Sequence, residues 1–411
     1  MTSTISISEY ESLPVLLDKT DAEFIKTQLN RPGSSEYSLT IDITPSFQEG
    51  EYFVNPYQYV GVAELPSGRI LESRPKVPVE NLFYMLAVSI GVSWLEQTAK
   101  LDDITEIFEV IAELFASESE ELLRKGIHRE YQETEDNLNM VRGRIDFREN
   151  IRLNYIMRHR NYCRFDELTF DIPENQVIAQ TANLLNTWNF RSPELKYRLN
   201  TLSQRLSELT PSNFTGSDVD RFTYGRMTEK YRPVHRLCRL LLDSASLSEH
   251  AGEYSNPAFF INMNDLYEKF LTQILIDNTD DFRVEDQKEI YLDETKRYKM
   301  KPDILLRFKN SDQVALVADC KYKKLKHSGS SNPDMFQVLS YCTSTMSNHG
   351  VLIYPLHEVE NTPPALILNT ETVIRQMTID LGGPMENLVN ECSRLAERLS
   401  SLASTERPVT I

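Results

Sequence analysis

The chain has 411 residues, 40% hydrophobic and 26% charged, enough for two or three domains with cores of their own and ordinary for a soluble globular protein. Its formal charge of −17 argues against a general nucleic-acid binder, because phosphate contacts need Lys and Arg, but leaves room for a local basic surface. The longest apolar stretch, LFYMLAVSIGVSWL at 82–95, is too short to span a bilayer, the N-terminus lacks the pattern of a signal peptide, and the five cysteines show no CxxC pair, so a reduced cytoplasmic protein without a membrane span is expected.

In chain order, residues 1–36 read as a weakly patterned N-terminal extension, closed by a break at RPGSS. From 37 to 78 the signals are for strands: YSLTIDI alternates, YQYVGVAEL is β-rich, and PSG turns the chain into RILES. From 79 to 250 the pattern becomes helical, with IFEVIAELF and IAQTANLLNTW repeating apolar residues at the spacing of one helix face, and with breaks at Gly143 and Asp171-Ile172-Pro173. Seven arginines (Arg142, Arg144, Arg148, Arg152, Arg158, Arg160 and Arg164) face two acids, Asp146 and Glu149. They form either a solvated, ion-paired face or a surface for an acidic partner, DNA or protein.

The last region, 251–411, opens with an amphipathic helix, NDLYEKFLTQILID. Strand signals follow at 282–289, then the hairpin KPDILLRFKNSDQVALVADCKYKK, a helix from near Asn332 with Pro333 in its first turn, the strand GVLIYPL, and a helix from Met385 to Leu402. The fold class expected is mixed α/β: a β-rich N-terminal segment, a helical middle and a C-terminal α/β domain.

The hairpin holds the chemistry. A turn centred on Ser311 places Phe308 opposite Val314, Leu306 opposite Leu316 and Asp303 opposite Asp319. Opposed Cβ atoms lie roughly 4.5–5.5 Å apart, where two buried carboxylates repel. Lys321, two residues beyond Asp319, points to the same face. A divalent cation between the aspartates would relieve the repulsion, since Mg²⁺ takes one or two carboxylates, water and phosphate oxygens. The plainer reading is a pair of strand-end aspartates in water with Lys321 as an ion-pair partner.

The wider pattern resembles the PD-(D/E)xK nuclease superfamily, with Asp where the second motif more often has Glu. In that superfamily an acid on the preceding helix joins the site, which points to Glu268 in LYEKFL. Gln337 and Tyr341, four apart on one helix face, are similar to the QxxxY element of RecB-type members. Upstream, YVGVAELPSGRILESRPKV, NLFYML, RKGIHREYQETEDNLNMVRGRIDF and CRFDELTFDIPENQVIAQTANLL keep their order as in the McrC family, the nuclease subunits of McrBC-type modification-dependent restriction systems.

The resemblance implies a DNA endonuclease subunit that cuts double-stranded, methylated DNA. Its partner, bound through 37–250, would be a McrB-like AAA+ NTPase whose GTP or ATP hydrolysis it stimulates. No nucleotide is expected on this chain itself, which lacks a GxxxxGK[ST] loop. Carried over by residue, Asp303, Asp319, the Cys320 carbonyl and Glu268 would bind Mg²⁺, for which Mn²⁺ can substitute; Lys321 would assist the attacking water, and Gln337 and Tyr341 would steady the helix or contact phosphate. The alternatives are a stand-alone RecB-like repair nuclease and a non-catalytic activator of an AAA+ motor.

Overall fold

The computed structural model describes residues 4–29, 41–91, 104–188, 190–245, 258–323, 331–355 and 363–405. The RPGSS break, the first residues of YSLTIDI, the start of the last region before 258 and residues 328–330 of SGSSNP lie outside these. The chain forms two compact units, one from Met1–Ile107 with Leu247–Ile411 and the other from Phe108–Ser246.

The first unit contains a six-stranded mixed sheet. Its order is Phe282–Asp286, Ile304–Phe308, Val314–Cys320, His349–Pro355, Val373–Ile379 and Ala365–Leu366. The first three strands are antiparallel neighbours, whereas His349–Pro355 lies parallel to Val314–Cys320 because helix Asn332–Thr345 carries the chain across. Every residue of VALVADC is buried, as a central strand covered on both faces requires. One face takes Leu305, Val317 and Leu352 against Val338 and Tyr341 of that helix. Helices Met263–Asn278 and Met385–Ser404 also pack on the central strand. Gly350 lets the Asn332–Thr345 helix approach closely, since a Cβ there would fall 2.5 Å from Val338 Cγ1.

The register bears on the hairpin expectation. Leu306 pairs with Leu316 and Ile304 with Ala318, as the turn centred on Ser311 requires. Val314, however, lies opposite Arg307 rather than Phe308, because a bulge between Leu306 and Arg307 leaves one residue extra on the second strand.

A second sheet of this unit orders Thr4–Ser8, Ile70–Arg74, Tyr59–Glu64 and Ala258–Asn262. The N-terminal segment is therefore a strand of the fold, paired in parallel with RILES. Ala258–Asn262 runs straight into helix Met263–Asn278, whose N-cap is Asn262. A three-stranded antiparallel sheet of Leu13–Leu16, Glu51–Asn55 and Asp42–Pro45 completes the β-rich part.

The second unit corrects the expectation that 79–250 is built of helices alone. Helices Pro173–Asn186, Pro193–Arg205 and Arg232–Ala245 form as the periodicity implies, but Glu130–Leu138, Asn161–Thr169 and Arg144–Ile145 make an antiparallel sheet. Glu130–Leu138 has no buried position, so its sequence carries no apolar alternation to read. Ion pairs run across this sheet and its flanks: Arg164 pairs with Glu135 and with Asp146, each at 2.7 Å, and Arg142 with Glu167 at 3.1 Å. Arg152 pairs with Glu149 at 2.7 Å, so much of the arginine cluster is neutralised within the unit.

In DIPEN, Pro173 opens its helix and Asn175 acts as a buried joint. Its amide donates to His128 O at 3.1 Å and Phe170 O at 2.7 Å, and its Oδ1 accepts from Tyr231 at 2.7 Å. Asn175→Leu strands all three groups, and urea denaturation should show a loss of about 3 kcal/mol.

Candidate active site

The hairpin ends place Asp303 just before strand Ile304–Phe308 and Asp319 within the central strand. Asp303 is half-buried and its Oδ2 accepts from the Cys320 amide at 2.7 Å, which ties the two strand ends together. Asp319 is 1% exposed. Its Oδ1 has no hydrogen-bond partner, while the Lys321 ammonium lies 2.7 Å from Oδ2 without the alignment of a hydrogen bond. A buried carboxylate with unused lone pairs is costly and is an open ligand.

Lys321 Nζ also donates to Gln337 Oε1 at 3.0 Å, and Gln337 Nε2 reaches Tyr341 Oη at 2.8 Å. Tyr341 in turn donates to the Lys301 carbonyl at 3.4 Å, closing a chain from helix Asn332–Thr345 back to the Asp303 strand. Sheet parity explains the convergence. Residues two apart share a face, so Asp319 and Lys321 follow Val317 toward that helix. Glu268, from helix Met263–Asn278, accepts from Gln287 Nε2 at 3.1 Å, and its charge is felt by Asp303. Asp319, Lys321, Gln337 and Tyr341 are thus linked side by side, Asp303 is tied to the Cys320 amide next to Asp319, and Glu268 is joined to Asp303 through Gln287.

The electrostatics are those of crowded acids. Burial, then Asp319 and Glu268, push Asp303 well above the ordinary carboxyl value. Burial lifts Asp319 too, with Lys321 opposing only in part. Glu268 rises to about 7 through burial and the charge of Asp265. Burial works against the Lys321 ammonium, but Asp319 and Asp303 outweigh it and raise its pKa. Tyr341 is pushed up to about 12 by burial and the Asp319 charge, and stays a neutral phenol.

Several neighbours were not singled out from the sequence. Gln287 follows strand Phe282–Asp286 in a left-handed conformation (φ +44°), its amide donating to Asp303 O at 3.0 Å while its side chain holds Glu268. A non-glycine residue there is strained, and such strain clusters at functional sites. Lys323 pairs with buried Asp334 at 2.8 Å, and Tyr354 donates to the same carboxylate at 3.0 Å. Lys323 could have been singled out from the KYKK run; Gln287 and Asp334 could not, because only the turn and the helix start bring them in.

Among the described residues no three acidic, His or Cys side chains converge tightly enough to cage a metal unaided.

Residues 54–355 match the family described as McrBC 5-methylcytosine restriction system component. The Escherichia coli (strain K12) type IV methyl-directed restriction enzyme EcoKMcrBC is 23% identical over 310 residues, 69% of this chain and 87% of that protein. A chain in the Thermococcus gammatolerans assembly of McrB AAA+ hexamers with bound McrC has the same fold, with a TM-score of 0.55 at 20% identity, over 96% of this chain and 100% of that one. With three quarters of its length within that match, the chain belongs to the McrBC 5-methylcytosine restriction system component family.

Proposed function

We propose that this chain is the Mg²⁺-dependent DNA endonuclease subunit of a modification-dependent restriction system, working with a McrB-like AAA+ NTPase in the cytoplasm. The observation that supports it most is the buried Asp319 carboxylate with open lone pairs, set between Asp303 and Lys321 at the end of an antiparallel hairpin. The order helix, three antiparallel strands, helix, parallel strand around it agrees with a PD-(D/E)xK domain.

Asp303, Asp319, the Cys320 carbonyl and Glu268 would hold Mg²⁺, with Mn²⁺ as a substitute. The ion would supply charge neutralisation at the scissile phosphate and a lowered pKa for a bound water. Lys321, with its raised pKa, is an ammonium at neutral pH and serves as donor and counter-charge toward the phosphate rather than as a base. Gln337 would hold Lys321 in place, and Tyr341 would steady Gln337.

Partner association is supported by the second unit. Phe147, Ile151, Tyr155 and Ile156 are 71%, 68%, 77% and 90% exposed within ten residues, beside exposed Met140 and Val141. A cluster of this kind marks an interaction surface. Because the sequence has no phosphate loop, GTP or ATP would be hydrolysed by the partner. The five cysteines are free and buried, in keeping with a reducing compartment, and among the described residues no helix is long and apolar enough to cross a membrane.

The central experiment mixes the full chain with its AAA+ partner, Mg²⁺, GTP or ATP, and methylated plasmid. Asp303→Asn, Asp319→Asn and Lys321→Ala should each lower cutting by about 100-fold or more while partner NTPase stimulation persists. Stimulation without cutting by the wild type on any methylated or unmethylated plasmid would favour the activator reading.

The metal-free protein provides a second test. A carboxyl raised in the fold stabilises it while protonated, below the unfolded pKa, and that contribution is lost as pH rises through the folded value. For Glu268 the window runs from its ordinary 4.5 to about 7. The thermal midpoint should therefore fall between pH 5 and 8, and Asp303→Asn or Glu268→Gln should flatten the fall. At pH 8, Mg²⁺ at about 100 times its Kd should restore about 2.7 kcal/mol to the wild type and little to Asp319→Asn. An equal shift in both would place the ion elsewhere.

A further inference from the structure

Strand Val314–Cys320 ends one residue short of Lys321. Lys321 N still donates to Ile353 O at 2.9 Å, but Lys323 N already turns back onto Lys321 O at 2.9 Å. A four-carbon stem at a fraying strand end has many rotamers, and the ladder alone does little to aim its ammonium.

The next residue supplies the hold. Tyr322 is buried, its ring centroid 5.6 Å from that of Tyr267, and its hydroxyl donates to Glu9 Oε1 at 2.9 Å. Glu9 is fully buried at 0% exposure; the same oxygen accepts from Lys76 N at 2.7 Å, and Oε2 has no partner. If packing were all that mattered, an apolar residue would serve this position better than a buried acid with an open lone pair. Its neighbour Tyr10 takes a left-handed conformation (φ +59°), with Lys76 Nζ 4.8 Å from its ring centroid. The Tyr10 hydroxyl donates to Asn264 at 3.1 Å, in the first turn of the Glu268 helix, and reaches the Tyr322 carbonyl at 3.5 Å.

Neighbouring side chains on an extended chain point to opposite faces. Drawing Tyr322 toward Glu9 therefore turns Lys321 toward Asp319 and Gln337. We propose that Glu9 and Tyr10, upstream of the family match, are positioning residues for DNA cleavage: they grip Tyr322 and through it aim Lys321. This rests on the nuclease reading of the site.

The test is single-turnover cleavage of methylated plasmid by the full chain with its AAA+ partner, GTP and Mg²⁺. Tyr322→Phe deletes one oxygen and keeps the ring, and should slow cleavage about tenfold, the scale of one hydrogen bond to a charged group. Glu9→Leu should slow it by about as much or more, whereas Glu9→Gln, whose amide oxygen still accepts from Tyr322 and Lys76, should stay within about threefold of wild type. The Mg²⁺ concentration for half-maximal rate and the stimulation of partner NTPase should move by less than about twofold in all three. Unchanged rates in Tyr322→Phe and Glu9→Leu overturn the proposal and leave the nuclease reading standing. Joint loss of rate and stimulation in Tyr322→Phe marks a general structural role and also overturns it. A wild type that stimulates its partner but never cuts removes the nuclease reading, and the proposal with it.

Discussion

The structure is organised around a repulsion. Asp303 and Asp319 lie at adjacent ends of two antiparallel strands, and Asp319 is buried in the middle of the sheet. Burial raises both carboxyls, and the Asp319 and Glu268 charges push Asp303 up further, so the resting protein holds an unfavourable cluster there. Nearby groups offset only part of it. The Cys320 amide binds Asp303, Lys321 faces Asp319, and Gln287 holds Glu268. The helix Asn332–Thr345 contributes Gln337 and Tyr341 to the same network, and Gly350 lets that helix come close enough to do so.

The alternation of a single strand divides the labour. Val317, Asp319 and Lys321 point toward the Asn332–Thr345 helix and form the face of the candidate site. Tyr322 points the other way, into Glu9 and the ring of Tyr267. The sheet of Thr4–Ser8, Ile70–Arg74, Tyr59–Glu64 and Ala258–Asn262 thus meets the site twice, through Glu9 at Tyr322 and through Asn262, which caps the Glu268 helix. A partner that shifted this sheet would move both the lysine and an acid of the site. The second unit has a different character: its polar sheet is held by ion pairs, and its exposed apolar residues are concentrated between Met140 and Ile156.

Much of the site is legible in the sequence, because its residues fall in one hairpin and the helix after it. Strand parity and a turn centred on Ser311 suffice to oppose Asp303 and Asp319, and the observed pairing of Ile304 with Ala318 is in that register. The bulge at Arg307 is not legible, since nothing in ILLRF or VALVA signals an extra residue. Nor is strand Glu130–Leu138 of the second unit, which lacks the apolar alternation that pattern reading depends on. The family resemblance is carried by ordered segments from about residue 55 to 355, and the family match covers 54–355.

By itself the sequence determined the local elements and the short-range constellation: the helices with apolar faces, the hairpin with two acids and a lysine, and the order of the family segments. These follow from periodicities of two and 3.6 residues, which act over a few neighbours. Only the tertiary structure decided what meets across long separations. It placed Glu9 on Tyr322, 313 residues away, Gln287 between Asp303 and Glu268, and Asn175 among the His128 and Phe170 carbonyls and the Tyr231 hydroxyl. Such contacts arise from buried polar groups finding partners as the core closes, and that demand leaves no periodic trace in the chain.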